Sequence, residues 1–230
     1  MTEGATTFYD IVSLFAKDYH VPDILLPTSS CIFVLESPHV QEVQHGAPVA
    51  GSSGVTMSKH LFNTEYARTP LGLLMKQCAD RVLDEPILNG IGLVNVCNIP
   101  LQKSAYGERE MVDNILEWFH DMEYVRTTNQ KETYSRKRQM DIQDWLIDHL
   151  RTKLTPHLGR EITLVPCGRF AQKFVRLAGL SDPNWRIIEE VPHPSYNSWD
   201  RARYQNQIRL VSEAVAASAK KSAISLLDRK

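Results

Sequence analysis

The chain holds four cysteines, Cys31, Cys78, Cys97 and Cys167, and no CxxC pair. Zinc-ribbon and iron–sulfur spacings are therefore missing. Three of the four lie in or beside apolar runs, which suits reduced, buried thiols and a cytoplasmic protein. No apolar run approaches 18 residues, and the opening MTEGATTFYD has neither a basic n-region nor an apolar h-region. The expectation is no membrane span and no secretory signal. Neither sign of charge is in excess, with 26 Lys+Arg against 27 Asp+Glu. That excludes a protein that holds nucleic acid by bulk positive charge, while a local basic patch stays open. Internal repeats and low-complexity linkers are also absent. What is present is ordinary globular material, 43% hydrophobic and 23% charged, and residues 1–230 read as a single domain.

The periodicities alternate between strand and helix. Phe8, Ile11, Val12 and Phe15 predict a helix over Thr6–Tyr19, and Pro22 and Pro27 then break the chain. Cys31–Leu35 is a continuous apolar run, as expected of a strand covered on both faces. Thr69–Leu83 reads as a helix with Thr69 as N-cap and Pro70 at its first position. Ile91–Val96 is a second strand, Ile162–Pro166 a third and Ile187–Val191 a fourth. Helical stripes run through Val112–Phe119, Ile142–Leu150, Ala171–Ala178 and Tyr204–Val215. The stretch Glu123–Met140 sets Arg126, Lys131, Arg136, Lys137 and Arg138 against Glu123 and Glu132, and it reads first as a solvated face. This alternation argues for an α/β fold with a largely parallel sheet, in which ligands bind beyond the carboxyl ends of the strands. Glu36, Asn95 and His193 fall there.

Four strand-end segments carry a family likeness. They are Glu36-Ser37-Pro38-His39-Val40-Gln41-Glu42 with Gly46-Ala47-Pro48-Val49-Ala50-Gly51 and Gly54; Leu93-Val94-Asn95-Val96; Val165-Pro166-Cys167-Gly168-Arg169; and His193-Pro194-Ser195-Tyr196. In this order they resemble the motifs of the uracil-DNA glycosylase superfamily, most closely its iron–sulfur branch, family 4. The resemblance implies a three-layer α/β/α domain with a four-stranded parallel sheet in order 2-1-3-4. It also implies a monomer that binds single- or double-stranded DNA, extrudes a damaged base and hydrolyses its N-glycosidic bond without a cofactor. His193 would stabilise the departing base. Glu42 and Glu36 would orient water and stabilise the sugar cation. Asn95 would read the base with its paired carbonyl and amide, and Ser37, His39 and Val49 would line the base pocket. Gly51, Ser52, Ser53, Gly54, Gly168, Pro194, Ser195, Tyr196 and Arg201 would meet the DNA backbone, with Tyr196 or Trp199 as a wedge.

The chain departs from that pattern at several positions. Leu35 and His39 stand where the branch has glycines, Ser37 cannot act as a carboxylate base, Val49 replaces a stacking aromatic, and the iron–sulfur cysteines are missing. A non-catalytic nucleic-acid or nucleobase binder of the same fold is the alternative. Plain roles remain open too: Asn95 as a turn cap, His193 as a loop histidine, and the glycines as turn formers. Glu36, His39, Glu42 and His45 could suggest a metal hydrolase, but Pro38 disfavours a regular helix there and no HExxH occurs. A serine hydrolase would need GxSxG, which is absent.

Overall fold

The computed structural model describes residues 6–62, 65–107 and 113–227. Its sheet has strands β1 (Ile24–Leu25), β2 (Cys31–Leu35), β3 (Ile91–Asn95), β4 (Ile162–Pro166) and β5 (Trp185–Ile187) in the order β1-β3-β2-β4-β5. β3, β2, β4 and β5 run parallel, and β1 pairs antiparallel with β3, placing Ile24 opposite Leu93. The sheet thus has five strands where the periodicities predict four. A two-residue strand between two prolines is too short to leave a period in the sequence. The last strand lies earlier than Ile187–Val191. Ile188 still donates its N–H to Leu164, but the backbone turns away at Glu190, whose φ is +59°.

The helices are α1 (Phe8–Tyr19), α2 (Val40–His45), α3 (Ser52–Leu61), α4 (Leu71–Ala79), α5 (Pro86–Asn89), α6 (Asp113–Thr127), α7 (Lys137–Leu154), α8 (Gly168–Ala178) and α9 (Gln205–Leu227). Thr7 caps α1 through a reciprocal pair with Asp10, the arrangement that satisfies two otherwise orphaned N–H groups. α4 is shorter than Thr69–Leu83. A 3₁₀ turn at Glu65–Arg68 holds Thr69 outside it, Pro70 keeps extended ψ at the cap, and the chain leaves the helix at Asp80. Val112 lies outside the described residues.

Side chains alternate across the strands and feed two cores. Ile32, Val34, Val94 and Leu164 join the cluster that packs α1, α6, α7 and α8. Cys31, Phe33, Leu35, Ile91 and Leu93 join the opposite cluster with α3, α4 and α9. Helices therefore cover both faces, and every residue of β2 and β3 is buried. The C-terminal helix belongs to this architecture: Ile208, Val211 and Val215 are in the second core. All four cysteines are free and buried, and burial pushes the Cys31 and Cys97 thiols up to about 12, which leaves them inert. Among the described residues no helix is long and apolar enough to cross a membrane.

Candidate functional site

β2, β4 and β5 deliver their carboxyl ends to one cleft of about 1450 Å³, while the end of β3 lies outside its lining. That exceeds the roughly 300–1,000 Å³ typical of small-molecule pockets and suits an extended ligand. β2 leads directly into Glu36 and Ser37, with His39 and Glu42 at the start of α2. The loop before α3 contributes Val49 and Gly51, and the first turn of α3 contributes Ser52 and Ser53. Gly168 and Arg169 enter from the start of α8, and His193, Ser195, Tyr196 and Arg201 from the loop after β5.

The loop after β5 builds a defined imidazole. Ser195 donates its backbone N–H to His193 Nδ1 at 3.2 Å, and its hydroxyl oxygen lies 2.9 Å from the same nitrogen. A backbone N–H can only donate, so Nδ1 is the acceptor and the neutral ring carries its proton on Nε2. Burial lowers the His193 pKa to about 4, which keeps the ring neutral at physiological pH. The loop is anchored below by Trp199, which is 0% exposed and donates Nε1–H to the Pro192 carbonyl at 2.9 Å. Ser198 donates its hydroxyl to the His193 carbonyl. Trp199 is thus a packing residue and cannot act as a wedge. Tyr196 is the reverse case: it is 90% exposed and, with Asn197, holds a left-handed φ.

Glu42 is clamped by backbone. One oxygen accepts the His39 N–H at 2.7 Å and the other the Val49 N–H at 2.5 Å. Burial still pushes its pKa up to about 7, against those bonds and with a further rise from the Glu36 charge. Val49 keeps φ at +47°, a region costly for a β-branched residue. Glu36 faces Arg126, with Nη1 3.3 Å from Oε1. Burial raises the Glu36 pKa, and Arg126 opposes that rise.

Several expected site residues do other work. Ser37 accepts the Leu101 N–H through Oγ at 3.4 Å. Gly54 is buried away from the cleft, where a Cβ would come 1.8 Å from the Val49 carbonyl oxygen; its role is close packing, not contact with DNA. Pro194 is buried behind the cleft wall. Gly168 lines the cleft but also packs under His193. His39 is exposed at the mouth. Asn95 is the sharpest difference. Its side chain is 0% exposed, lies outside the cleft lining, and among the described residues has no hydrogen-bond partner for either amide atom. Its backbone is fully engaged: the N–H donates to Asp23 Oδ1 at 2.9 Å, and the carbonyl accepts from Lys153, which pairs with Asp23 at 2.9 Å. The pattern of residues around Asn95 gives no hint of that Asp23–Lys153 support, because its members come from distant segments.

The basic stretch is mostly spent on internal bonds. Lys131 meets Tyr124, Lys137 meets Asp141, and Arg136 and Arg138 meet Asp121. Arg126, at the end of α6, lines the cleft instead. Among the described residues no group of three or more His, Cys, Asp or Glu side chains stands close enough to hold a metal ion. No protein-family model and no curated protein matches the chain.

Proposed function

We propose that the protein is a DNA glycosylase that hydrolyses the N-glycosidic bond of uracil or another deaminated base. One observation carries this reading: a neutral imidazole with its proton on Nε2 shares a strand-end cleft with two half-buried carboxylates. Breaking the glycosidic bond leaves negative charge on the base and positive charge on the sugar. His193 Nε2–H is a preorganised donor for a base carbonyl oxygen, and donors of this kind act strongly where water is excluded. Glu42, with Glu36 near it, supplies negative charge for the sugar cation and an acceptor for the attacking water. A mostly parallel five-stranded sheet with helices on both faces, which opens a cleft at its strand ends, supports the reading. Tyr196, exposed on the cleft rim, is placed to enter a base stack.

For Asn95 to read the base, its amide must become accessible when ligand binds. A second reading, a nucleic-acid binder without chemistry, draws on that sealed amide and on Val49 in place of an aromatic. The two separate in one assay. Single- and double-stranded oligonucleotides carrying uracil, hypoxanthine or xanthine are incubated with protein, and abasic sites are cleaved with alkali. Strand breaks that vanish in His193→Ala support the glycosylase. Salt-sensitive binding without breaks supports the binder.

A further inference from the structure

The Glu36–Arg126 pair has more hydrogen-bonding capacity than the protein uses. Arg126 carries five N–H donors and makes one hydrogen bond, at 3.3 Å, among the described residues. Its Nε is buried with no partner among the described residues. The side chains of Arg126 and Glu36 remain 28% and 23% exposed, and both line the cleft. A half-buried guanidinium so poorly matched points to an acceptor supplied from outside. A phosphate is disfavoured as that acceptor. Glu36 touches the guanidinium, Glu123 sits one helical turn before it on the same wall, and Glu42 lines the same cleft. Arg169 and Arg201 also line the cleft, from α8 and from the loop after β5, so a phosphate has other cations to meet, and beside Glu36 a neutral partner is the better match for Arg126.

The pair sets a carboxylate beside a cation, which is an acceptor edge next to a donor edge. Guanine alone among the DNA bases offers two adjacent donors, N1–H and N2–H, beside an acceptor, O6. A carboxylate can take both donors while the guanidinium donates to O6. Thymine and uracil place a carbonyl on each side of one N–H, so one carbonyl would meet the carboxylate.

We infer that Glu36 and Arg126 form a subsite for the Watson–Crick edge of guanine. The inference deepens the glycosylase reading and rests on it for placing a DNA strand in the cleft. The guanine would be a neighbour of the target base, so the enzyme would prefer a sequence context. Glu36 then serves recognition, and Glu42 keeps the catalytic carboxylate role.

The test is binding of the full chain to short undamaged single strands that differ only in a central guanine, adenine or cytosine, read by fluorescence anisotropy. Guanine should bind about tenfold or more tightly than adenine or cytosine, neither of which sets two adjacent donors beside an acceptor. Glu36→Gln should abolish the preference and Arg126→Lys should reduce it, with unchanged thermal transitions. Equal affinity for the three strands, or no binding, overturns the proposal. So does base-independent binding whose salt dependence drops by about one charge in Arg126→Gln, the mark of a phosphate contact. Normal excision without guanine preference removes only the subsite. Guanine preference without excision removes only the glycosylase.

Discussion

Gly168 and His193 are packed against each other so closely that a Cβ on the glycine would lie 2.9 Å from the Cβ of the histidine. Gly168 has φ +86° and donates its N–H to the Val191 carbonyl at 2.9 Å. The start of α8 thus sets the height of the imidazole over the cleft, and glycine is required there twice, for its backbone angle and for the space it leaves.

Gly168→Ala should therefore cost both stability and function. A left-handed non-glycine residue costs about 1–3 kcal/mol before any clash is counted. The expected result is a lower thermal midpoint, together with excision reduced more than DNA binding, because the displaced ring is His193. Calorimetry and the alkali-cleavage assay measure the two effects separately. An unchanged midpoint with full excision would refute this account of the contact.

His193 and Glu42 should pull stability in opposite directions with pH. The folded His193 pKa lies at about 4, below the ordinary 6.5. Between those values the unfolded chain binds the proton and the native one does not, so His193 makes stability rise with pH. The folded Glu42 pKa lies at about 7, above the ordinary 4.5. Between those values the native state holds the extra proton, so Glu42 makes stability fall as pH rises. Over about pH 4.5–6.5 the two slopes oppose. His193→Gln should leave a stability curve that falls more steeply with pH than wild type, and Glu42→Gln one that rises more steeply, each by an amount of order 2–3 kcal/mol across the window. Denaturant titrations at several pH values check this. For catalysis, the same Glu42 pKa predicts excision that climbs with pH up to about 7 and then levels.

The strand runs that place the cleft were readable in the sequence because β2, β3 and β4 are buried on both faces and appear as unbroken apolar segments. Glu36 was readable for the same reason, since it follows β2 directly; Glu42 and His193 were reached only through the motif likeness, because one lies in α2 and the other follows the exposed β5. Arg126 was not, since its helix is polar and its approach to Glu36 depends on how α6 packs across 90 residues of sequence. Nor was the sealing of Asn95, because the end of a strand looks alike whether its last side chain meets solvent, ligand or core. Gly54 looks like a turn glycine, yet it answers to the close approach of the Val49 carbonyl, whereas Gly168, at the start of a helix, reads first as a packing glycine and does pack under His193.

Tyr196 and Trp199 should separate binding from folding. Tyr196→Ala removes a ring that is 90% exposed, so stability should change by less than about 0.5 kcal/mol, while affinity for duplex DNA falls through loss of a stacking group. Trp199→Ala empties a fully buried site and removes the bond to Pro192, costing about 3–5 kcal/mol. Thermal melts and DNA titrations on both variants give the comparison. Equal destabilisation by the two would contradict the division of roles.

Asn95 should behave as a residue held against the interest of stability. Both amide atoms are buried without partners, and each such group costs about 1–3 kcal/mol of desolvation. Asn95→Ala removes that cost and leaves only a small void. The variant should be as stable as wild type or more so, within about 1 kcal/mol, although a buried side chain has been truncated. Lys153→Met should be destabilising by contrast, because it leaves the Asp23 carboxylate half-buried without its 2.9 Å cation. If Asn95 reads the base, the stable Asn95→Ala protein should also lose discrimination between uracil and thymine strands while still binding DNA. A marked loss of stability in Asn95→Ala would mean that the amide is a structural group after all, and it would remove Asn95 from the recognition site.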